Sequence, residues 1–138
     1  MLTKLEEYEY FIFSLRERFL SIQYSTLVFQ RLAPYTAVVQ GEVFFANGIC
    51  LGVSETLDFD EEKFIRRYSY EVSRNDEKLY WYDPFPHPHI PELASTHPHH
   101  KHVPPDIKHH RIPAPNLSFI QPNLPFLIQE IESTLLIE

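Results

Sequence analysis

Proline and histidine divide this 138-residue chain in two: eleven of its twelve prolines lie from Pro84 onward, and all eight histidines fall between His87 and His110. Proline lacks a backbone N–H and fixes φ, so helix interiors and central strands tolerate it poorly. Pro84, Pro86, Pro88, Pro91, Pro98, Pro104, Pro105, Pro113 and Pro115 therefore confine regular structure to the residues before 84 and to a short stretch at the end. The segment 84–121 is expected as one long loop, and a loop of that length in a compact domain is usually functional or disordered. That loop holds every imidazole in the chain.

Before the loop, the hydrophobic rhythm is regular. Leu5, Tyr8, Ile12, Leu15, Phe19 and Ile22 recur at spacings of three and four, which predicts an amphipathic helix over 4–22. Thr3 and Glu6 fit a capping box at its start. Tyr10, Phe11 and Phe13 make this helix apolar on more than one side, so a partner surface or a homodimer contact is expected there. Alternating apolar and polar residues then predict strands over about 24–32, 35–45, 49–57, 64–73 and 78–83. Asn47-Gly48 tolerates the positive φ of a tight hairpin, Asp58–Glu62 is an acidic connection, and Arg74–Glu77 is a polar turn. Beyond the loop, Asn123 is placed to cap a helix over 124–136, with Pro125 in its first turn and Leu124, Leu127, Ile128, Ile131 and Leu135 along one face. The expectation is a single α+β domain over 1–138. An N-terminal helix packs on a five-stranded antiparallel meander, and the His/Pro-rich loop and a C-terminal helix follow.

With 43% hydrophobic residues the chain supports a real core, and a net charge of −7 argues against broad, non-specific nucleic-acid binding. The single Cys50 can form no internal disulfide, and Lys4, Glu6, Glu7 and Glu9 interrupt any early apolar run. A reducing, cytoplasmic setting without signal peptide or membrane span is therefore expected. Three glycines leave no phosphate-binding loop, no dinucleotide fingerprint and no Gly-x-Ser-x-Gly elbow.

The histidines suit two chemistries. Imidazole titrates near neutral pH, so His87, His99, His100 and His102 are candidate general acids and bases. Lys101 is a candidate to steady phosphate charge, and Asp83 to orient one ring through its second nitrogen. Arg67, Tyr68 and Tyr70 are candidate substrate-binding residues. That combination is what RNA cleavage needs, because RNA brings its own 2′-hydroxyl nucleophile, and it requires no cofactor. In the other chemistry, His87, His89, His97 and His99 hold a divalent transition metal such as zinc or nickel. In extended backbone His87 with His89, His97 with His99, and His100 with His102 point the same way. The bland alternative is a rigid loop capping the sheet, its imidazoles bonded to backbone groups. For any single histidine that alternative is the stronger reading, and it weakens for the cluster as a whole.

Tyr68-Ser69-Tyr70, then Tyr82-Asp83, Pro86-His87 and Pro98-His99-His100-Lys101-His102 stand in an order that resembles the TumE-like toxins of prokaryotic toxin–antitoxin pairs. The resemblance spans residues 64–103, with the closing helix matching by element order. It implies a toxin whose partner is a DNA-binding antitoxin encoded beside it. RNA cleavage is an inference from the histidines and not from the resemblance. The alternative function is a metal-binding or protein-binding module that uses the histidine loop as its recognition surface.

Overall fold

The computed structural model describes residues 1–84, 99–107 and 110–137. The chain is α+β, with one antiparallel sheet carrying its helices on one face. Helix α1 runs Lys4–Phe13, and its capping box forms: Thr3 Oγ1 accepts from the Glu6 amide and Glu6 Oε1 accepts from the Thr3 amide, both at 3.1 Å. The predicted helix over 4–22 is shorter than its apolar rhythm suggests. At Ser14 the backbone turns (φ −104°, ψ 8°), and a separate turn, α2, covers Leu15–Arg18. The Ser14 hydroxyl bonds back to the Phe11 carbonyl and accepts from Arg18, a local competitor for helical bonding. Leu5, Tyr8, Ile12, Leu15 and Ile22 are still buried.

The sheet comprises β1 (Tyr24–Ser25), β2 (Val28–Arg31), β3 (Thr36–Phe44), β4 (Ile49–Asp58), β5 (Ile65–Arg74), β6 (Glu77–Asp83), β7 (His100–His102) and β8 (Arg111–Pro113). From β3 onward each strand pairs antiparallel with the next, so the meander is as expected but longer. Two differences from the five-strand expectation have local causes. The predicted strand over 24–32 divides into β1 and β2, which both pair with β3. Between them, Thr26 and Leu27 approach Gly41 so closely that a Cβ there would lie 2.7 Å from the Thr26 carbonyl oxygen. The predicted loop also contributes β7 and β8. His100-Lys101-His102 is a proline-free run between Pro98 and Pro104, and Pro113 is accepted because β8 lies at the sheet edge.

Asn47 and Gly48 both take positive φ, as expected, within the three-residue turn Ala46–Gly48. Asn75 and Asp76 also take positive φ and close β5 onto β6 in two residues. The helix face of the sheet is lined by Val39, Val43, Leu51, Leu57, Tyr70, Val72 and Tyr82. Over it lies α3 (Leu124–Thr134), with Leu124, Leu127, Ile128 and Ile131 fully buried and Leu135 partly so. Asn123 stands at the start of α3 but does not cap it through its side chain. Its amide instead holds Ser118 and donates to the Tyr70 hydroxyl at 3.0 Å.

Candidate functional site

Strand alternation decides which of the candidate residues meet. Successive side chains of a strand point to opposite faces. Trp81 pairs with His102 and Asp83 with His100, so these four residues share the face away from the helices. Tyr82 pairs with Lys101, and both face α3. The compact group expected from His99, His100, Lys101 and His102 is thus divided by the sheet itself.

On the outer face, His102 Nε2 stands 2.8 Å from Asp83 Oδ2, and His102 Nδ1 stands 3.1 Å from the Ile107 carbonyl oxygen. Both neighbours are acceptors, so a ring protonated on both nitrogens satisfies both. The Trp81 indole stacks on this ring at 4.4 Å and donates to the same Asp83 oxygen at 3.4 Å. His100 is completely buried and His102 nearly so. Neither presents its ring to a large ligand at the surface. His102 holds Asp83, and His100 pairs with it across the β6–β7 junction through the backbone.

On the other flank of that junction, the Tyr68 hydroxyl meets His99 Nδ1 at 2.5 Å. The His99 ring stacks on Tyr68 and lies 4.7 Å from Phe119. Burial pushes the Tyr68 hydroxyl up from its ordinary range, and the negative charge of Asp83 adds to the shift, so it stays protonated across physiological pH. His99 is only partly buried, in contrast to His100 and His102. Asp83 therefore holds the enclosed imidazole of His102 directly, and its charge bears on the Tyr68 hydroxyl that meets the more accessible His99.

The remaining candidates separate clearly. Lys101 Nζ pairs with Glu130 Oε2 at 3.1 Å and lies 4.3 Å above the Tyr80 ring, where its charge is already matched. Tyr82 also donates to Glu130, at 2.8 Å. Tyr70 is fully enclosed and donates to Glu55 at 2.5 Å, so it supports the core and offers no surface to a ligand. Arg67 is exposed on the outer face. A bulge at Thr56/Leu57 leaves Arg66 without a cross-strand partner, and both guanidinium-bearing residues are solvent-exposed. His87, His89 and His97 lie outside the described residues. Among the described residues no three His, Cys, Asp or Glu side chains converge as a metal site. His99, from the expected metal set, is engaged through Nδ1 with Tyr68.

A family model described as Toxin TumE matches residues 12–135, which is most of the chain. The chain belongs to the TumE toxin family. Membership makes it the toxin component of a toxin–antitoxin system, with a cognate antitoxin as its partner. Neither a curated protein nor a solved structure matches it. The TumE match reaches from the last two residues of α1 through α3, so both flanks of Asp83 and the helix above them fall inside it. Among the described residues no helix is long and apolar enough to cross a membrane.

Residue pattern alone missed two carboxylates. Glu55 is buried at an inward position of β4, between Val53 and Leu57. Tyr8 donates to its Oε1 at 2.6 Å and Tyr70 to its Oε2 at 2.5 Å. Burial raises its carboxyl above the ordinary value while the two tyrosine hydroxyls oppose that shift. The strict alternation through Ile49, Leu51, Val53 and Leu57 was the signal, because it puts residue 55 inside. Glu130 borders the apolar stripe of α3 and had no comparable signature.

Proposed function

We propose that this toxin acts on RNA as a metal-independent, histidine-dependent ribonuclease, with proton transfer centred on His99. The contact that supports this reading is Tyr68 Oη to His99 Nδ1. If Nδ1–H donates to the tyrosine oxygen, Nε2 is the basic nitrogen. It takes the proton of a ribose 2′-hydroxyl as that oxygen attacks the neighbouring phosphorus, and the same ring returns the proton to the departing 5′-oxygen. The products are a 2′,3′-cyclic phosphate and a 5′-hydroxyl, so atoms and protons balance. Tyr68 fixes the ring, and Asp83 with His102 and His100 fixes the strand that carries it. Arg67, exposed on the outer face, is turned away from Tyr68 by strand alternation and can serve only a flanking part of the phosphate backbone, not the phosphate at His99. Lys101 belongs to the Glu130 pair and has no part in the reaction.

Inducible expression of wild type, His99→Ala and Tyr68→Phe, with growth and total RNA followed together, tests this. Growth arrest with RNA fragments in wild type, both lost in His99→Ala, is the expected result. Arrest without fragments would remove RNA as the target. Undiminished toxicity of His99→Ala would remove the histidine from the chemistry.

A further inference from the structure

A groove of about 810 Å³ opens between α1, the β4–β5 connection and residues 120–122. Its floor is aromatic. Tyr8 lies 5.6–5.7 Å from Phe11, Phe59 and Phe64, and Phe59 stacks on Phe64 at 5.3 Å. Its rim is acidic: Glu7, Asp60, Glu61 and Glu62 line it, against Lys4 and Arg18. Arg18 is already committed, with Nε donating to Ser14 at 2.8 Å and its guanidinium 5.7 Å above the Phe11 ring. Four carboxylates therefore face two cations, Lys4 and Arg18, around a hydrophobic floor.

We infer that this groove is the docking site for a basic segment of the cognate antitoxin, one that carries Lys or Arg beside an apolar side chain. The inference rests on the family assignment and not on RNA as the toxin's target. The complementarity is specific in kind. An aliphatic or aromatic side chain fills the space over Phe11, Phe59 and Phe64, and neighbouring cations meet the 60–62 carboxylates and the aromatic faces. The volume lies in the range of pockets that bury a ligand, and an aromatic centre within a charged rim is the usual anatomy of a protein interface. The overall charge of −7 favours encounter with a basic partner.

The groove is also joined to the imidazole cluster. Ile120, Gln121 and Pro122 form part of its wall, while the adjacent Phe119 lies against His99 and Tyr68 and its carbonyl accepts from Ile65 at 3.0 Å. Beneath the floor, Tyr8 bonds to Glu55, Glu55 to Tyr70, and Tyr70 stacks on Tyr68 at 4.9 Å. An antitoxin seated here holds the 118–122 segment from outside and leaves the histidines uncovered.

The test is co-expression of the full chain with its full-length antitoxin, followed by co-purification, affinity and rescue of growth. Glu61→Lys/Glu62→Lys changes only exposed connection residues. It is expected to stay toxic alone, bind antitoxin more than tenfold more weakly, and escape rescue. Phe11→Ser, with its folding checked by circular dichroism, is expected to do the same. His99→Ala is expected to bind antitoxin like wild type whether or not the toxin cleaves RNA, which separates this inference from the enzymatic one. Unchanged binding and rescue in both groove variants would overturn the docking site. So would a wild-type dimer that the double lysine variant splits while antitoxin affinity stays constant, because the groove would then hold a second copy of the chain.

Discussion

Asp83 and His102 form a buried pair across neighbouring strands, with carboxylate and imidazole 2.8 Å apart at the end of β6. The opposite ring nitrogen faces the Ile107 carbonyl, so the pair also ties the β7–β8 connection to the sheet. Removing one member of a buried pair leaves its partner uncompensated. Asp83→Asn is expected to lower unfolding stability by about 3 kcal/mol, read from urea denaturation, while His102→Gln in the same background adds little further loss. Additive losses from the two substitutions would show that the residues act separately.

Trp81 is the only tryptophan and stacks on the His102 ring, so its emission reports that ring directly. Replacing the ring removes that stacked neighbour, so the emission maximum of Trp81 is expected to shift in His102→Gln while the far-UV circular dichroism stays that of wild type. An unchanged emission spectrum in that variant would show that the indole does not rest on this ring in solution.

Glu55 gives a pH dependence of defined sign. Its folded carboxyl titrates above the ordinary 4.5, chiefly because it is buried, so the folded state binds this proton more tightly than the unfolded chain does. The associated stability is complete below 4.5 and is lost as pH rises through the raised folded value. Relative to Glu55→Gln, wild type is expected to lose stability as pH increases from 4.5, as measured by urea unfolding at a series of pH values. A difference that stays flat, or that grows in favour of wild type, would contradict the burial argument.

Cys50 donates to Glu42 at 3.1 Å, and burial with that carboxylate pushes its thiol up to about 12. The thiolate is the reactive species, so at pH 8 its population is roughly a thousandfold below that of an ordinary cysteine. Native protein is expected to react very slowly with a disulfide reagent and unfolded protein promptly. Equal rates in the two states would refute the shift.

Gly41 takes φ +140°, and an added Cβ would also meet the Leu27 Cα at 2.8 Å. Gly41→Ala is expected to destabilise the fold by about 2 kcal/mol, because backbone rather than a flexible side chain must move. A variant with wild-type melting behaviour would show that β1 and β2 can shift freely.

Periodicity alone determined that this chain is α+β, and it set the capping box at Thr3, the apolar stripe of α3 and the meander from residue 36 to 83. Those features depend on neighbours three, four or two positions apart, and the side chains carry that information locally. The histidine segment was legible as the place of interest, and its alternation already implied that His100 and His102 share a face. Which imidazole meets which partner was not legible. His102 finds Asp83 nineteen residues away, His99 finds Tyr68 thirty-one residues away, and Lys101 finds Glu130 on a helix twenty-nine residues further on. These pairings depend on β7 docking against β6 and on α3 crossing the sheet, contacts between segments remote in sequence. The same is true of Glu55 and of the aromatic groove. Local pattern placed their residues in or out of the core, and only tertiary packing decided what they face.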